Sequence, residues 1–320
     1  MNALALFSGG LDSSLAIRIV QDEGIEIIGV HFTTPFCTCS GPAAVARELD
    51  IDFKRVPLGS EFLEIVKKPP HGYGRNLNPC IDCRILMLRR SKEIMKESLA
   101  SFIITGEVLG QRPMSQNRNA LFEVEKASGL NRLILRPLSA KLLPVTIPEE
   151  RNWVRRGNLL AIEGRSRRKQ LELAQRFGIR DFSTPSGGCL LTDPIFCRKV
   201  KDLIKHDNFT ENHIILLRVG RHFRLGNNKL IVGRNQQENR ILKDLSSGDN
   251  TILEPEAIPG PTAVIVGKPN DNEIRLSARI VARYSDHCSN PVVITVISDV
   301  KASKVVSTPL EDEKINKIRI

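Results

Sequence analysis

The 320-residue chain has no run of about eighteen apolar residues, the length that a membrane-spanning helix needs, so no such helix is expected. Its first apolar segment, Ala3 to Phe7, reaches glycine too soon for a secretory leader, and a cytoplasmic location with no membrane partner is the expectation. Neither G-x-x-x-x-G-K-S/T nor G-x-G-x-x-G occurs, which excludes the Walker loop and the dinucleotide turn. Internal repeats and low-complexity tracts are absent. Acidic residues are the minority, 36 against 47 Lys and Arg, giving a net charge of +11. That balance implies a polyanionic partner, and nucleic acid comes ahead of a membrane because no basic amphipathic helix is evident. With no leader, the seven cysteines point to metal or catalysis before disulfides.

What is present starts with Met1 to Val20. An apolar run, Ala3 to Phe7, stops at Ser8-Gly9-Gly10, and Asp12-Ser13-Ser14 then opens a second apolar pattern. This reads as a buried strand, a tight glycine turn and a helix capped by Asp or Ser. The first helical turn offers backbone N–H groups and the positive dipole end. Adjacent glycines let the backbone close around an anion without Cβ interference. Asp12 is out of place in a pure anion nest unless it holds a cation such as Mg²⁺ against phosphate.

Ile25 to Phe32 reads as a second buried strand, and strand–helix–strand within 32 residues implies a parallel sheet. Ligands of such sheets sit at the carboxyl ends of the strands. Helix Ala43–Leu49, strand Ile51–Val56, strand Phe102–Thr105 and a short run at Ile134–Leu138 are expected to follow. Lys67 to Pro79, rich in proline and glycine, is long enough to be a substrate loop. It ends in Asn78-Pro79-Cys80-Ile81-Asp82-Cys83-Arg84, where a helix begins. Cysteines there, beside Arg84 and Arg89, are expected to be thiolates, and C-x-x-C also matches zinc and iron–sulfur spacing. Cys37 and Cys39 form a C-x-C pair in a loop, and Ser186-Gly187-Gly188 leaves Cys189 open to close approach.

Arg151 to Lys169 carries seven basic residues, among them Arg155, Arg156, Arg167 and Arg168, against the single acid Glu163, with Trp153 inside. Basic density with an aromatic suits phosphate contact and base stacking; a solvated helix face is the plainer reading. Gln170 to Phe177 reads as helix, closed by Gly178. Near His206 to Phe209 the character changes, so domains of 1–205 and 206–320 are expected. The second is read as short strands (Ile214–Val219, Phe223–Leu225, Lys229–Val232, Ala263–Val266, Arg275–Ala282, Val292–Ile297). Asn227-Asn228 and Pro269-Asn270-Asp271-Asn272 are read as hairpin loops. Arg221, Arg234 and other cations recur among them.

The string Ser8-Gly9-Gly10-Leu11-Asp12-Ser13 resembles the pyrophosphate loop (PP-loop) of an ATP pyrophosphatase superfamily. With Asn78-Pro79 and Cys83 before a helix, Thr105-Gly106 at a strand end and Ser186-Gly187-Gly188-Cys189, the first two-thirds of the chain looks like a tRNA 2-thiouridylase of that superfamily. Leu230 to Asn239 and Ile258-Pro259-Gly260-Pro261 look like the RNA-binding region of NFACT proteins. Cys80 and Glu107 depart from the thiouridylase pattern, which often has Asp and His there. The resemblance implies a doubly wound parallel α/β PP-loop ATPase domain followed by a smaller α+β RNA-binding domain.

It further implies ATP held by Ser8, Gly9, Gly10, Leu11, Asp12, Ser13, Val30, Phe32, Thr105 and Gly106, with Asp12 on Mg²⁺. Arg155, Arg156, Arg167, Arg168, Arg221, Arg234 and Asn235 would bind tRNA. Adenylation of a tRNA base carbonyl, uridine first, would release pyrophosphate, and sulfur would then replace AMP. Cys80, Cys83 and Cys189 resemble the ligand set of iron–sulfur tRNA thiolases, which implies a four-iron, four-sulfide cluster with one open iron. A Cys189 persulfide resolved by Cys83 stays open, and zinc is less favoured for want of a fourth ligand. A cysteine desulfurase, carrier protein or inorganic sulfide would supply the sulfur. An amide-forming ligase and a non-catalytic tRNA- or ribosome-binding factor remain alternatives.

Overall fold

The computed structural model describes residues 1–37, 42–182, 188–206, 209–246, 250–286, 291–298 and 301–320. Cys39, Ser186, Gly187 and residues 207–208 at the expected domain boundary lie outside them. The chain divides into two compact units, Met1–Asp193 and Pro194–Ile320.

In the first unit the order is β1 (Asn2–Leu6), α1 (Leu11–Gln21), β2 (Glu26–Thr33), α2 (Ala43–Glu48), β3 (Asp52–Pro57) and α3 (Ser60–Lys67). Next come α4 (Cys80–Glu97), β4 (Phe102–Thr105), α5 (Arg118–Ser128), β5 (Ile134–Leu135), α6 (Ile147–Glu150) and α7 (Arg168–Phe177). The five strands are parallel throughout, in the order β3-β2-β1-β4-β5. This is the doubly wound α/β arrangement expected. β1 and β4 are buried along nearly their whole length, as central strands covered on both faces must be. Their crossovers run in opposite directions, so the crevice beyond their carboxyl ends is the switch point where ligands of open parallel sheets bind. Ala3, Ala5, Phe7, Leu15, Ile17, Phe102 and Ile104 belong to the core beneath it.

The second unit runs α8 (Pro194–Lys205), α9 (Glu211–Leu216), β6 (Arg221–Leu225), β7 (Asn228–Val232), α10 (Gln236–Leu245) and β8 (Thr251–Pro255). It continues through β9 (Ala263–Val266), α11 (Asp271–Arg283), β10 (Val292–Ser298), β11 (Lys301–Ser307) and α12 (Asp312–Ile318). Its six-stranded sheet, β11-β10-β8-β9-β7-β6, pairs antiparallel at every contact.

Two expected strands are helices. The first half of Ile214–Val219 falls in α9 and the rest in the turn after it; the Thr210 side chain accepts from His213 N–H as N-cap of that helix. Arg275–Ala282 lies inside α11. There Asn270, expected in a hairpin loop, accepts from Glu273 N–H at 3.0 Å while Glu273 accepts from Asn270 N–H at 2.9 Å. That reciprocal capping box fixes a helix start, and Ser277, Ala278, Ile280 and Val281 bury a face at three- and four-residue spacing. The hairpin expected at Asn227-Asn228 is present, joining β6 to β7.

Candidate active site

The site of the first unit is built where β1 gives way to α1. Gly9 has φ +71°, and a Cβ there would come within 2.9 Å of Pro42 Cβ, so the turn admits only glycine without displacement. Gly10, extended, occupies the N-cap of α1 and supplies no side-chain cap. The expected capping by Asp or Ser is therefore not what forms. The Ser13 and Ser14 hydroxyls instead donate back to Gly10 C=O at 2.9 and 3.1 Å, and Ser8 Oγ lies 3.1 Å from Ser13 Oγ. The hydroxyls thus fold over the turn while the first-turn N–H groups have no side-chain cap, the arrangement that suits a phosphate.

β4 closes the other side. A Cβ on Gly106 would sit 2.5 Å from Ser13 N and 2.6 Å from the Asp12 carbonyl carbon. Only a glycine lets the end of β4 approach the start of α1 this closely. Asp12 Oδ2 accepts from Gln111 Nε2 at 3.0 Å, and an Arg167 guanidinium nitrogen stands 3.5 Å from the same oxygen. Asp12 Oδ1 and Gln111 Oε1 are buried without a hydrogen-bond partner among the described residues. An orphaned carboxylate oxygen beside an orphaned amide oxygen fits a hard cation such as Mg²⁺, which takes oxygen ligands. Gln111 carries no sequence signal beyond its place in a polar loop. Val30 and Phe32 are buried at the carboxyl end of β2, where Val30 C=O accepts from Phe7 N–H at 2.8 Å. His31 Nδ1 is 2.9 Å from Phe7 O, so the ring braces the strand end.

Thr105 donates to Glu107 Oε2 at 3.1 Å. Glu107 is fully buried between Arg84, 3.2 Å away, and Arg136, 3.1 Å away, and Arg136 also reaches Glu125 at 2.9 Å. Burial alone would raise the Glu107 pKa; the two guanidiniums outweigh it and hold the carboxyl below the ordinary glutamate range. The position that departs from the thiouridylase pattern is therefore a structural hub that ties Arg84, next to Cys83, to β5.

α4 starts at Cys80, as the sequence indicated. Cys80 Sγ donates to Asn78 Oδ1 at 2.9 Å. Between the cysteines, buried Asp82 accepts from His71 N–H at 3.1 Å and lies 2.6 Å from His71 Nδ1, which latches the proline-rich loop onto the helix. The thiolate expectation fails. Burial pushes the Cys83 thiol up to about 12; Arg84 pulls it down, and Cys189, Cys80 and Cys37 nearby push it higher. Burial raises Cys80 too, against Arg112 and Arg84. The helix start is covered rather than open, so desolvation beats the dipole and the arginines. Cys189 pairs with Cys37 in an isolated antiparallel bridge, and Leu190 N–H donates to Phe36 C=O at 2.9 Å beside it. Cys83 therefore shares its surroundings with three other cysteines. Among the described residues no three His, Cys, Asp or Glu side chains form a group that could hold a metal ion.

The basic residues singled out from sequence are mostly engaged. Arg155 pairs with Glu23 at 3.0 Å, Arg156 with Glu149, and Arg168, 87% exposed, with Glu172 at 3.0 Å. Arg167 faces Asp12 rather than standing apart in a basic strip. Trp153 stacks on Phe102 with Arg151 over its ring, so it is part of the packing rather than a platform for bases. In the second unit Arg221 lies 4.5 Å over the Tyr284 ring, Arg234 Nε binds Glu238 at 2.9 and 3.0 Å, and Asn235 caps α10.

Two separate stretches of the chain resemble known proteins. Residues 1–141 match a family model described as thiamine biosynthesis protein (ThiI), and residues 220–319 match the NFACT protein RNA binding domain. A probable tRNA sulfurtransferase of Thermococcus kodakarensis is 31% identical over 144 residues, covering 42% of this chain and 36% of that protein. One from Streptococcus sanguinis is 33% identical over 117 residues, covering 34% and 28%. The chain thus spans about a third of the length of these relatives. A solved 4-thiouridine synthetase–RNA complex with bound ATP is 22% identical with a TM-score of 0.40, covering 67% of this chain and 53% of that one. No helix among the described residues is long and apolar enough to cross a membrane.

Proposed function

We propose that the chain is an ATP-dependent tRNA sulfurtransferase. A uridine carbonyl oxygen attacks the α-phosphorus of ATP, the bond to the β-phosphate breaks, and pyrophosphate leaves. A sulfur nucleophile then adds at the base carbon, and the original oxygen departs with AMP. The observation that carries this reading is the glycine loop, with α1 lacking a side-chain cap and the Asp12 oxygen orphaned, at the switch point between β1 and β4. The sequence likenesses to tRNA sulfurtransferases and to an NFACT RNA-binding domain support the same reading.

In this scheme Ser8, Gly9, Gly10, Leu11 and Ser13 cradle the pyrophosphate. Asp12, with Gln111, would hold Mg²⁺, which would supply neutralisation of phosphate charge. Thr105 and Gly106 close the crevice, and Val30 and Phe32 flank the adenine. The second unit, with Arg221, contacts tRNA, and Arg155, Arg156 and Arg168 of the first unit offer further contacts, while Arg234 and Asn235 are held at the start of α10. A cytoplasmic location goes with that substrate. Cys80, Cys83 and Cys189 handle the sulfur, supplied by a desulfurase, a carrier or inorganic sulfide. A four-iron cluster on these three is the first reading of the set. The side chains as arranged do not form a metal-holding group, so no step is drawn through it. A Cys189 persulfide resolved by Cys83 is the second reading, its outer sulfur passed on from the persulfide of a desulfurase or carrier, since sulfide alone would need an oxidant. Iron analysis of protein purified without oxygen, with Cys80→Ala alongside, separates the two, since only the cluster needs Cys80.

The deciding experiment incubates the full chain with ATP, Mg²⁺, tRNA lacking the modification and, in parallel arms, sulfide or cysteine with a cysteine desulfurase, and follows pyrophosphate, AMP and tRNA nucleosides by mass spectrometry. tRNA-stimulated AMP and pyrophosphate with a thiolated uridine is the expected result. ADP with orthophosphate overturns the reading. An amidated product points to the ligase alternative, and tRNA binding without ATP turnover to a non-catalytic factor.

A further inference from the structure

Cys189 is one of the two thiols, with Cys83, that both sulfur schemes require, yet its backbone partner is Cys37, a residue that neither scheme uses. The two lie opposite each other in an antiparallel bridge. The hydrogen bond from Leu190 N–H to Phe36 C=O, 2.9 Å, joins the residue after one to the residue before the other. That pattern makes Cys37–Cys189 the narrow, non-hydrogen-bonded kind of cross-strand pair, in which Cα atoms stand about 4.5 Å apart and both side chains leave on the same face. A disulfide spans Cα separations of about 4.4–6.8 Å, so this register can be bridged without moving either strand segment. The bridge anchors are firm on both sides. Leu190 opens a short helical turn whose neighbour Leu191 is fully buried, with its C=O accepting from Leu77 N–H at 3.2 Å. On the other segment Phe36 is fully buried, and Thr34 Oγ1 lies 3.3 Å from Cys37 Sγ. Both cysteines are half-buried, so a small thiol or disulfide reagent can reach the pair. Cys83 senses both of them electrostatically, which puts the pair beside the C-x-x-C segment rather than at a remote edge.

We propose that Cys37 is the redox partner of Cys189, and that the two close a reversible cross-strand disulfide which withdraws Cys189 from sulfur chemistry. Closure is thiol–disulfide exchange with a low-molecular-weight disulfide. Cys37 sulfur attacks one sulfur of the reagent and expels the other as a thiol; Cys189 sulfur then displaces the second thiol. Two protein thiols are oxidised, one disulfide is reduced to two thiols, and the protons balance. The reverse exchange restores Cys189. In the cytoplasmic location proposed above, disulfides are mostly of this transient, redox-responsive kind. The pair uses none of the residues assigned to the phosphate, so the adenylation half of the reaction is expected to stay available when the pair is closed. That consequence rests on the sulfurtransferase reading; the pairing itself does not.

The test uses the full chain, exposed to oxidised glutathione, blocked with iodoacetamide and digested with trypsin. Peptide 19–47 carries Cys37 and Cys39, and peptide 181–198 carries Cys189 and Cys197, so the digest is repeated on C37S, C39S and C197S. The proposal expects a linked 19–47/181–198 peptide in the wild type, C39S and C197S, and its loss in C37S with Cys189 alkylated. It is overturned if C37S still gives the link, if Cys189 joins the peptide containing Cys80 or Cys83, or if Cys189 stays alkylatable throughout. In parallel, oxidation should abolish tRNA thiolation and leave tRNA-stimulated pyrophosphate release, with dithiothreitol restoring thiolation and C37S resisting the oxidant. Thiolation in the oxidised, linked protein overturns the withdrawal of Cys189. If the reduced protein thiolates nothing, the sulfurtransferase reading fails while the peptide map still judges the pair.

Discussion

Asp12 and Gln111 meet across the mouth of the glycine loop: the amide nitrogen donates to one carboxylate oxygen at 3.0 Å, and the other carboxylate oxygen and the amide oxygen are both buried without a hydrogen-bond partner among the described residues. A protein interior seldom leaves two acceptors stranded together unless a donor or cation completes them. Asp12→Ala should therefore lower pyrophosphate release by about 100-fold or more, the scale lost when one preorganised electrostatic partner goes. Gln111→Leu should weaken Mg²⁺-dependent ATP binding and spare binding measured in EDTA. Isothermal titration with and without Mg²⁺ reads both. Equal ATP affinity of Gln111→Leu and wild type in Mg²⁺ would leave the glutamine a mere brace for Asp12.

Glu107 gives a stability prediction with a defined sign. Its carboxylate, 2% exposed, is held between Arg84 and Arg136. Glu107→Gln leaves those cations facing a neutral amide, which costs about 3–5 kcal/mol for a buried pair, toward the low end because Glu125 still holds Arg136. The folded-state pKa lies below the unfolded value. The wild-type advantage is thus fully present above the unfolded glutamate pKa and fades as pH falls through the folded one. Urea denaturation should show the gap between wild type and Glu107→Gln intact at pH 7 and shrinking on acidification below about pH 4. A gap that is unchanged across that range would mean the charge is not what Glu107 contributes.

The glycine-loop half of the candidate site was legible because it is local. Ser8 to Ser13 form one turn, and its glycines announce themselves in sequence. Gly106 also reads as a strand-end glycine, although its necessity, the contact with Ser13 N, is visible only in three dimensions. What stayed hidden is long-range. The Arg136–Glu107–Arg84 hub, the Gln111–Asp12 contact and the Cys37–Cys189 bridge join residues 23 to 152 positions apart. In the second unit α11 passed for a strand because Arg275–Ala282 is rich in β-branched and apolar residues. The decisive signal was Asn270 with Glu273 three positions on, a capping box inside what reads as a turn. The thiolate expectation failed for a related reason, since a helix start and adjacent arginines are visible in sequence and burial is not.

The arginines divide into those that can meet a phosphate and those already committed, and mutation should separate them. Arg168 is 87% exposed and held only by an exposed i,i+4 pair with Glu172, an interaction worth about 0.3–0.5 kcal/mol. Releasing it to a phosphate costs little. Arg234 is different. Its Nε contacts both oxygens of Glu238, while Glu238 also accepts from the backbone N–H groups of Arg234 at 2.9 Å and Gly220 at 3.2 Å. That carboxylate knits the turn before α10 to the start of β6, and Arg234 is part of the knot. Arg168→Ala should weaken tRNA binding and make the log–log salt dependence shallower by about one ion, with no change in unfolding. Arg234→Ala should cost about 1 kcal/mol of stability, because the pair is half-exposed, and should leave the salt slope nearly unchanged. Filter binding across a salt series and urea denaturation measure the two quantities independently. If Arg234→Ala flattens the salt slope as much as Arg168→Ala without loss of stability, Arg234 leaves Glu238 for the phosphate backbone, and the resemblance to the NFACT region extends to that side chain.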